Sequence, residues 1–200
     1  MRILIITPML KEYHCAREVF SAVETDTDSV YRFARIIKKR FQLDILQCGF
    51  ELETALTYYD KQYGVADIII DSGSCASLSN EYDIGEIIRI SRVCRDGKRD
   101  VYFDDPGEND QIRTASLIEV STGIENRHMR VELGKKADVC SMESYSLCRF
   151  AELRMVRHFS WRVITDNADA EMRTDFKENL RIGCRKLYQY IDNILNDLSH

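Results

Sequence analysis

The sequence predicts an α/β protein, with a mixed central sheet covered by helices on both faces to give three α/β/α layers. Three observations carry the prediction. Short, almost uninterrupted apolar runs recur along the chain: RILIIT at 2–7, ADIIIDSG at 66–73, ADVCSM at 137–142 and SWRVIT at 160–165. Strands read this way when helices cover a sheet on both sides. Segments of helical character alternate with these runs, as in layered α/β folds, and more amphipathic strand candidates between them add antiparallel members.

Taken in order, the first strand at 2–7 is followed by strand candidates SVYRFARII at 29–37 and FQLDILQC at 41–48. A helix is expected over 50–64, after Gly49 and closing near Gly64. The apolar run at 66–73 follows, then amphipathic strands GEIIRISRV at 85–93, DVYF at 100–103 and RTASLIEVS at 113–121, with the polar DDPGENDQ at 104–111 as a surface loop. The strand at 137–142 leads directly into a helix at 143–154, and the strand at 160–165 precedes the last helix. That helix is marked by Phe176, Leu180, Cys184, Leu187, Ile191, Leu195 and Leu198 at helical spacing, a packing stripe rather than a cofactor box.

Composition narrows the functional classes. With 200 residues, 44% of them hydrophobic, and no linker rich in Pro, Gly or Ser, one domain spanning 1–200 is expected. A net charge of -5 argues against a general polyanion binder, and the basic RIIKKR at 35–40 lacks interleaved aromatics, so no nucleic acid is expected as partner. The seven cysteines are odd in number and form no C-x-x-C pair, which fits a reduced, cytoplasmic setting. No stretch reaches the length of a membrane span, and the four histidines show no metal-ligand spacing, so neither membrane, metal nor other cofactor is expected.

Ligand sites of open α/β sheets lie beyond the carboxyl ends of the strands. Polar residues stand at the ends of the four strongest runs: Glu12 after the first, Ser72, Gly73 and Ser74 after the second, Glu143 after the third, and Arg162 and Asp166 in and after the fourth. They converge on one place if these strands are parallel neighbours. Taken singly, each has a plainer reading. Asp166 is a helix cap, Glu143 a first-turn glutamate, Glu12 a solvated charge at a helix start, and Ser74 a turn residue. Arg162 is harder to explain that way, since a guanidinium inside an apolar strand requires a carboxylate partner.

Four motifs set the chain in a family context. RILIITPMLKE, ADIIIDSGSCASLSNEYDIGEIIRIS, CSMES and RVITDNAD resemble the first strand, the T-G-S-A-G-G-L turn with its following strand, the D-M-E-A motif and the R-A-I-S-D-x-A-D motif of the nucleoside phosphorylase and nucleosidase superfamily. Within it, the chain is most similar to the 5'-methylthioadenosine/S-adenosylhomocysteine nucleosidases, over nearly its whole length except a compressed segment at about 92–136. The resemblance implies a nucleoside phosphorylase-like fold and a small-molecule nucleoside as partner. It also implies a homodimer, because the family closes its pockets across a subunit interface. It places Met9 at a ribose contact and Glu12 at the water-binding position, Ser74 at the serine that supports the acid, and Met142 and Glu143 at the ribose pair. Arg162 falls on the water-site arginine, Asp166 on the general acid and Phe176 on a ribose-side aromatic.

These residue types suit N-glycosidic cleavage. Negative charge builds on the departing purine, so an acid that protonates N7 lowers the barrier, and burial with Asp169 nearby would keep Asp166 protonated. Glu12 would deprotonate the attacking water, a division of labour like that of inverting glycosidases. Superfamily phosphorylases hold phosphate with a glycine-rich first loop and an arginine just before the serine turn. Here those places hold TPMLKE and the pair Ile70 and Asp71. An aspartate there repels phosphate, so water is the expected nucleophile. On the base side Ala76 and Ser77 replace two glycines and crowd the purine, and Ile124 stands in for a stacking aromatic. The expected activity is purine nucleosidase, with a futalosine-type hydrolase, a phosphorylase and a nucleoside-binding protein without turnover as alternatives.

Overall fold

The computed structural model describes residues 1–26, 31–49, 51–79, 81–107 and 112–197. In chain order the elements are β1 (Arg2–Thr7), α1 (Leu10–Phe20), β2 (Val23–Asp26), β3 (Arg32–Ile37), β4 (Gln42–Gln47), α2 (Leu52–Tyr63) and β5 (Ile68–Ser77). They continue with β6 (Ile87–Cys94), β7 (Val101–Tyr102), β8 (Thr114–Glu119), α3 (Arg127–Gly134), β9 (Val139–Ser141), α4 (Ser144–Arg154), β10 (Arg157–Asp166) and α5 (Met172–Asp197). Leu198, the end of the expected terminal stripe, and the end of the expected loop at 104–111 lie outside the described residues.

The apolar runs are strands because both of their faces are covered. In β1, Ile3 and Ile5 point into a core with Tyr13, Ala16 and Phe20 of α1 and Leu180, Cys184 and Leu187 of α5. Leu4 and Ile6, one residue out of phase, point into a second core with Leu52, Ala55 and Leu56 of α2 and Leu147, Cys148 and Ala151 of α4. The period of two along a strand divides one apolar run between two helical layers.

β4, β1, β5 and β10 are mutually parallel in that spatial order, and β3 and β2 continue the sheet antiparallel beyond β4. On the other side the sheet closes on itself. β10 pairs with β6, β6 with β8, β8 with β9, and β9 returns to the carboxyl end of β5. β5 is ten residues long because it serves both halves. Its start pairs with β1 through Ile68–Asp71, and its end pairs with β9 through Ala76 and Ser77.

Three expectations are corrected here. The strand expected at 66–73 runs on to Ser77, so Ser72, Gly73 and Ser74 lie within β5 and form no turn. β9 runs antiparallel to β5, not parallel. Its carboxyl end is nevertheless brought back toward Ser74, and convergence of the strand ends is kept by the opposite strand direction. The sequence marks helix α1 only as a helix start at Glu12, and helix α3 and strand β2 have no counterpart among the expected elements. For α1 the signal is present: Tyr13, Ala16 and Phe20 bury at helical spacing, but Glu12 interrupts the stripe and is itself buried. α3 contributes no buried residue, so no apolar periodicity marks it.

Candidate active site

The gap on β5 between its pairing with β1 and its pairing with β9 is where the site forms. β10 occupies the other edge of β5 continuously through this region, and the N–H of Ser74 is donated to a carboxylate, Glu12 Oε1 at 2.8 Å. The Ser74 hydroxyl donates to the same oxygen at 2.9 Å, and Glu12 Oε2 accepts the Met9 N–H at 3.1 Å. Glu12 is the third residue of α1 and reaches back to the N–H of the residue that caps its own helix, as a capping-box glutamate does. It is not solvated, being 1% exposed. Burial raises its pKa above the ordinary glutamate value, against the hydrogen bonds from Ser74 and Met9 and the charge of Arg162.

Gly73 makes this approach possible. A Cβ there would stand 2.7 Å from Glu12 Oε1, 3.0 Å from its Cδ and 3.1 Å from Arg162 Nη1. The backbone of Gly73 also has φ of +148°, which side-chain-bearing residues rarely adopt.

Arg162, 1% exposed on β10, has the carboxylate partner its position demands. That partner is Asp71 on β5, wholly buried, which accepts from Arg162 Nη2 through Oδ1 and from Ser160 Oγ through Oδ2 at 2.9 Å. Nη2 also donates to Ser144 Oγ at 2.8 Å and Nη1 to the Ser74 carbonyl at 3.3 Å. Burial works against the guanidinium's charge, but Asp71, with Glu143 and Glu12, outweighs it and the pKa of Arg162 is raised.

Asp166 ends β10 and is 3% exposed. It does not cap α5, which begins only at Met172. Its Oδ1 accepts the Ala168 N–H at 3.1 Å and its Oδ2 the Thr165 hydroxyl at 3.0 Å. The turn into α5 is made by Asp169, whose side chain accepts the Glu171 N–H at 3.1 Å and whose carbonyl accepts the Met172 N–H at 3.1 Å. Burial pushes the Asp166 carboxyl up to about 6, with Asp175 and Asp169 adding repulsion and its two hydrogen bonds opposing. Glu143, just before α4, is pushed up to about 7 by burial first, with Arg162 opposing and Glu12, Asp71 and Glu119 adding repulsion.

One cavity of about 220 Å³ joins these groups. Its wall contains all nine residues singled out in the sequence: Met9, Glu12, Ser74, Ile124, Met142, Glu143, Arg162, Asp166 and Phe176. Among the further residues of the wall, sequence reasoning missed Met172, Val120, Cys140 and Thr165. Their mild apolar or hydroxyl character gives no signal apart from the strand ends on which most of them sit.

Three local expectations change. Ser74 is bonded to Glu12, not to Asp166, so the support it was expected to give the acid goes to the other carboxylate. Thr165, from the strand itself, holds Asp166 instead. Asp71 is absent from the cavity wall and its charge is engaged by Arg162, so its predicted repulsion of phosphate does not operate directly. Ala76 lines the cavity, as the crowding argument requires; Ser77, next in a strand of alternating faces, does not, and bonds the Ser79 carbonyl at 2.5 Å.

The chain shares its fold with solved 5'-methylthioadenosine/S-adenosylhomocysteine nucleosidases and futalosine hydrolase. Helicobacter pylori 5'-methylthioadenosine/S-adenosylhomocysteine nucleosidase superposes with a TM-score of 0.89 at 14% identity, covering 98% of each chain. Helicobacter pylori futalosine hydrolase gives 0.88 at 14% identity over 98% of this chain and 99% of that one. Arabidopsis thaliana 5'-methylthioadenosine nucleosidase gives 0.80 at 16% identity over 98% and 94%. No protein-family model and no curated protein sequence matches the chain.

Proposed function

We propose that this protein is a purine nucleosidase that hydrolyses the N-glycosidic bond of a 5'-modified purine nucleoside, methylthioadenosine or S-adenosylhomocysteine being the leading candidates. The observation that carries the reading is the pair of unlike carboxylates in one cavity. Asp166 holds its proton up to about 6, so it can give a proton to the purine N7 as the bond to the sugar lengthens. Glu12 has both oxygens fixed by three N–H and O–H donors, and in its ionised form it takes a proton from water attacking the anomeric carbon. Glu143 accepts hydrogen bonds from the ribose hydroxyls. Met9, Met142 and Phe176 exclude solvent around the sugar, and Ile124 covers the base.

Water is favoured over phosphate by the charges on the wall. Among the described residues that line the cavity Arg162 alone is basic, and it is already bound to Asp71, whereas three carboxylates face the same space. A dianionic nucleophile meets net repulsion there. The likeness to structures of methylthioadenosine/S-adenosylhomocysteine nucleosidases, one of them a Helicobacter pylori mutant with 5'-methylthioadenosine in its active site, supports the substrate class. The equal likeness to a futalosine hydrolase makes futalosine the second candidate.

Two finer points belong to the same proposal. The seven cysteines are all free thiols, which fits a reducing cytoplasm, and the family resemblance supports a homodimer. Incubation with methylthioadenosine, S-adenosylhomocysteine, adenosine, inosine and futalosine, with and without phosphate, tests the reading. Base release without phosphate is the expected result. Release that requires phosphate, or binding of every compound without release, overturns it.

A further inference from the structure

Glu12 lies in a cluster where one buried guanidinium meets three carboxylates. Arg162 comes from β10, Asp71 from β5 and Glu143 from just before α4; Glu119 of β8 adds repulsion on Glu143 but is itself paired with Arg95 at 3.2 Å. Cys15 on α1, Tyr188 and Cys184 on α5 and Cys48 beyond β4 also face it, but burial raises the pKa of each, which keeps them uncharged at neutral pH. Burial raises the pKa of Glu12 most, the Ser74 hydrogen bond opposes it, and the charge that favours its ionised form is Arg162, which is already bound to Asp71. Asp71 is wholly buried, bonds Arg162 Nη2 directly, and is itself held by Ser160 at 2.9 Å. It lies behind the guanidinium and does not line the cavity.

We propose that Asp71 is a positioning residue for hydrolysis: it anchors Arg162 at the cavity wall and cancels its charge, which makes Glu12 a stronger base than it would be beside an unopposed guanidinium. The inference rests on the hydrolytic reading for its purpose, but the charge relation stands on the cluster alone. An unopposed Arg162 would favour the ionised form of Glu12 and weaken its hold on a proton taken from water. With Asp71 in place the same guanidinium still orders the Ser74 carbonyl and Ser144. Its geometric work is kept and its electrostatic effect on Glu12 is reduced.

The test reads the titration of Glu12 without substrate. In protein labelled with 13C at glutamate carboxyls, the Glu12 resonance is assigned by its loss in Glu12→Gln and followed against pH in the unaltered chain, in Asp71→Asn and in Asp71→Glu. Asp71→Asn is expected to lower the Glu12 midpoint by about one pH unit, the scale of a charge change inside a buried cluster. Asp71→Glu, which restores the charge, is expected to return it toward the original value. The acid limb of kcat/KM against pH moves with the midpoint, while the alkaline limb set by Asp166 stays. A purely structural role for Asp71 lowers rates and moves neither limb. A folded Asp71→Asn with an unmoved Glu12 midpoint overturns the proposal. If that variant does not fold, a Glu12 midpoint in the unaltered chain below the ordinary glutamate value of about 4.3 overturns it as well. Absence of base release would instead count against the hydrolytic reading and leave the titration to decide this one.

Discussion

Asp166→Asn tests the proposed proton-donor role most cleanly, because it removes the proton and little else. Asparagine can accept the Ala168 N–H as the carboxylate does at 3.1 Å, and its amide can donate to the Thr165 hydroxyl. The fold is therefore expected to survive. Loss of a general acid lowers kcat by about 10²- to 10⁴-fold. As the general acid proposed above, Asp166 must be protonated to act in the unaltered protein, so with its pKa at about 6 the kcat/KM is expected to fall tenfold per pH unit above that value, roughly 100-fold by pH 8. Stability carries an independent signature. The folded-state pKa is raised from 3.8 to about 6, so the protonated form favours folding. That contribution is complete below 3.8 and is lost as pH rises through about 6, amounting to about 2–3 kcal/mol. Asparagine cannot ionise, and the variant should therefore match the unaltered protein at pH 3 and exceed it by about 2 kcal/mol at pH 8. Base release across pH 5–9 and urea unfolding at both pH values check the two halves. A variant that keeps its rate and shows no gain in stability at pH 8 would refute the assignment.

Other outcomes follow from the same geometry. Ser74→Ala removes the hydroxyl bond to Glu12 but keeps the backbone one, so kcat should drop about 5- to 20-fold with KM little changed, from the loss of about 1–2 kcal/mol; steady-state kinetics decide it. Gly73→Ala drives a methyl to 2.7 Å from Glu12 Oε1 at a backbone φ that disfavours alanine. It should lower kcat at least 100-fold and reduce stability by about 1–3 kcal/mol, and a variant with the unaltered rate and melting curve would show that Glu12 need not lie there. Gly183→Ala on α5 places its Cβ 3.0 Å from Val163 Cγ2 of β10. A melting temperature lowered by a few degrees, from overpacking of about 1–2 kcal/mol, is expected where helix and strand meet.

The strands that bear the site were legible because their apolar runs are local: RILIIT, DIIID and WRVIT each declare a buried strand without reference to the rest of the chain. Arg162 was legible for the converse reason, as a charge inside such a run. α1 was hidden by the residue that matters most on it, since a buried glutamate breaks the apolar stripe by which helices are recognised. The partner of Arg162 was visible as a residue but not as a partner. Asp71 and Arg162 are 91 positions apart, and only the parallel register of β5 against β10, which sets Asp71 opposite Ser160, two residues before Arg162, brings them within reach of each other.

The sequence by itself determined the class of fold and the set of chemical groups, because hydrophobic period and residue type are properties of short segments. Tertiary structure alone decided how those groups share protons and charge. Ser74 serves Glu12 and not Asp166, Asp71 serves Arg162 and not the cavity, and β9 delivers Glu143 by running against its neighbour. Hydrogen bonds and Coulomb forces act over a few ångströms of space, and strand order and direction, not distance along the chain, fix which groups come within that reach.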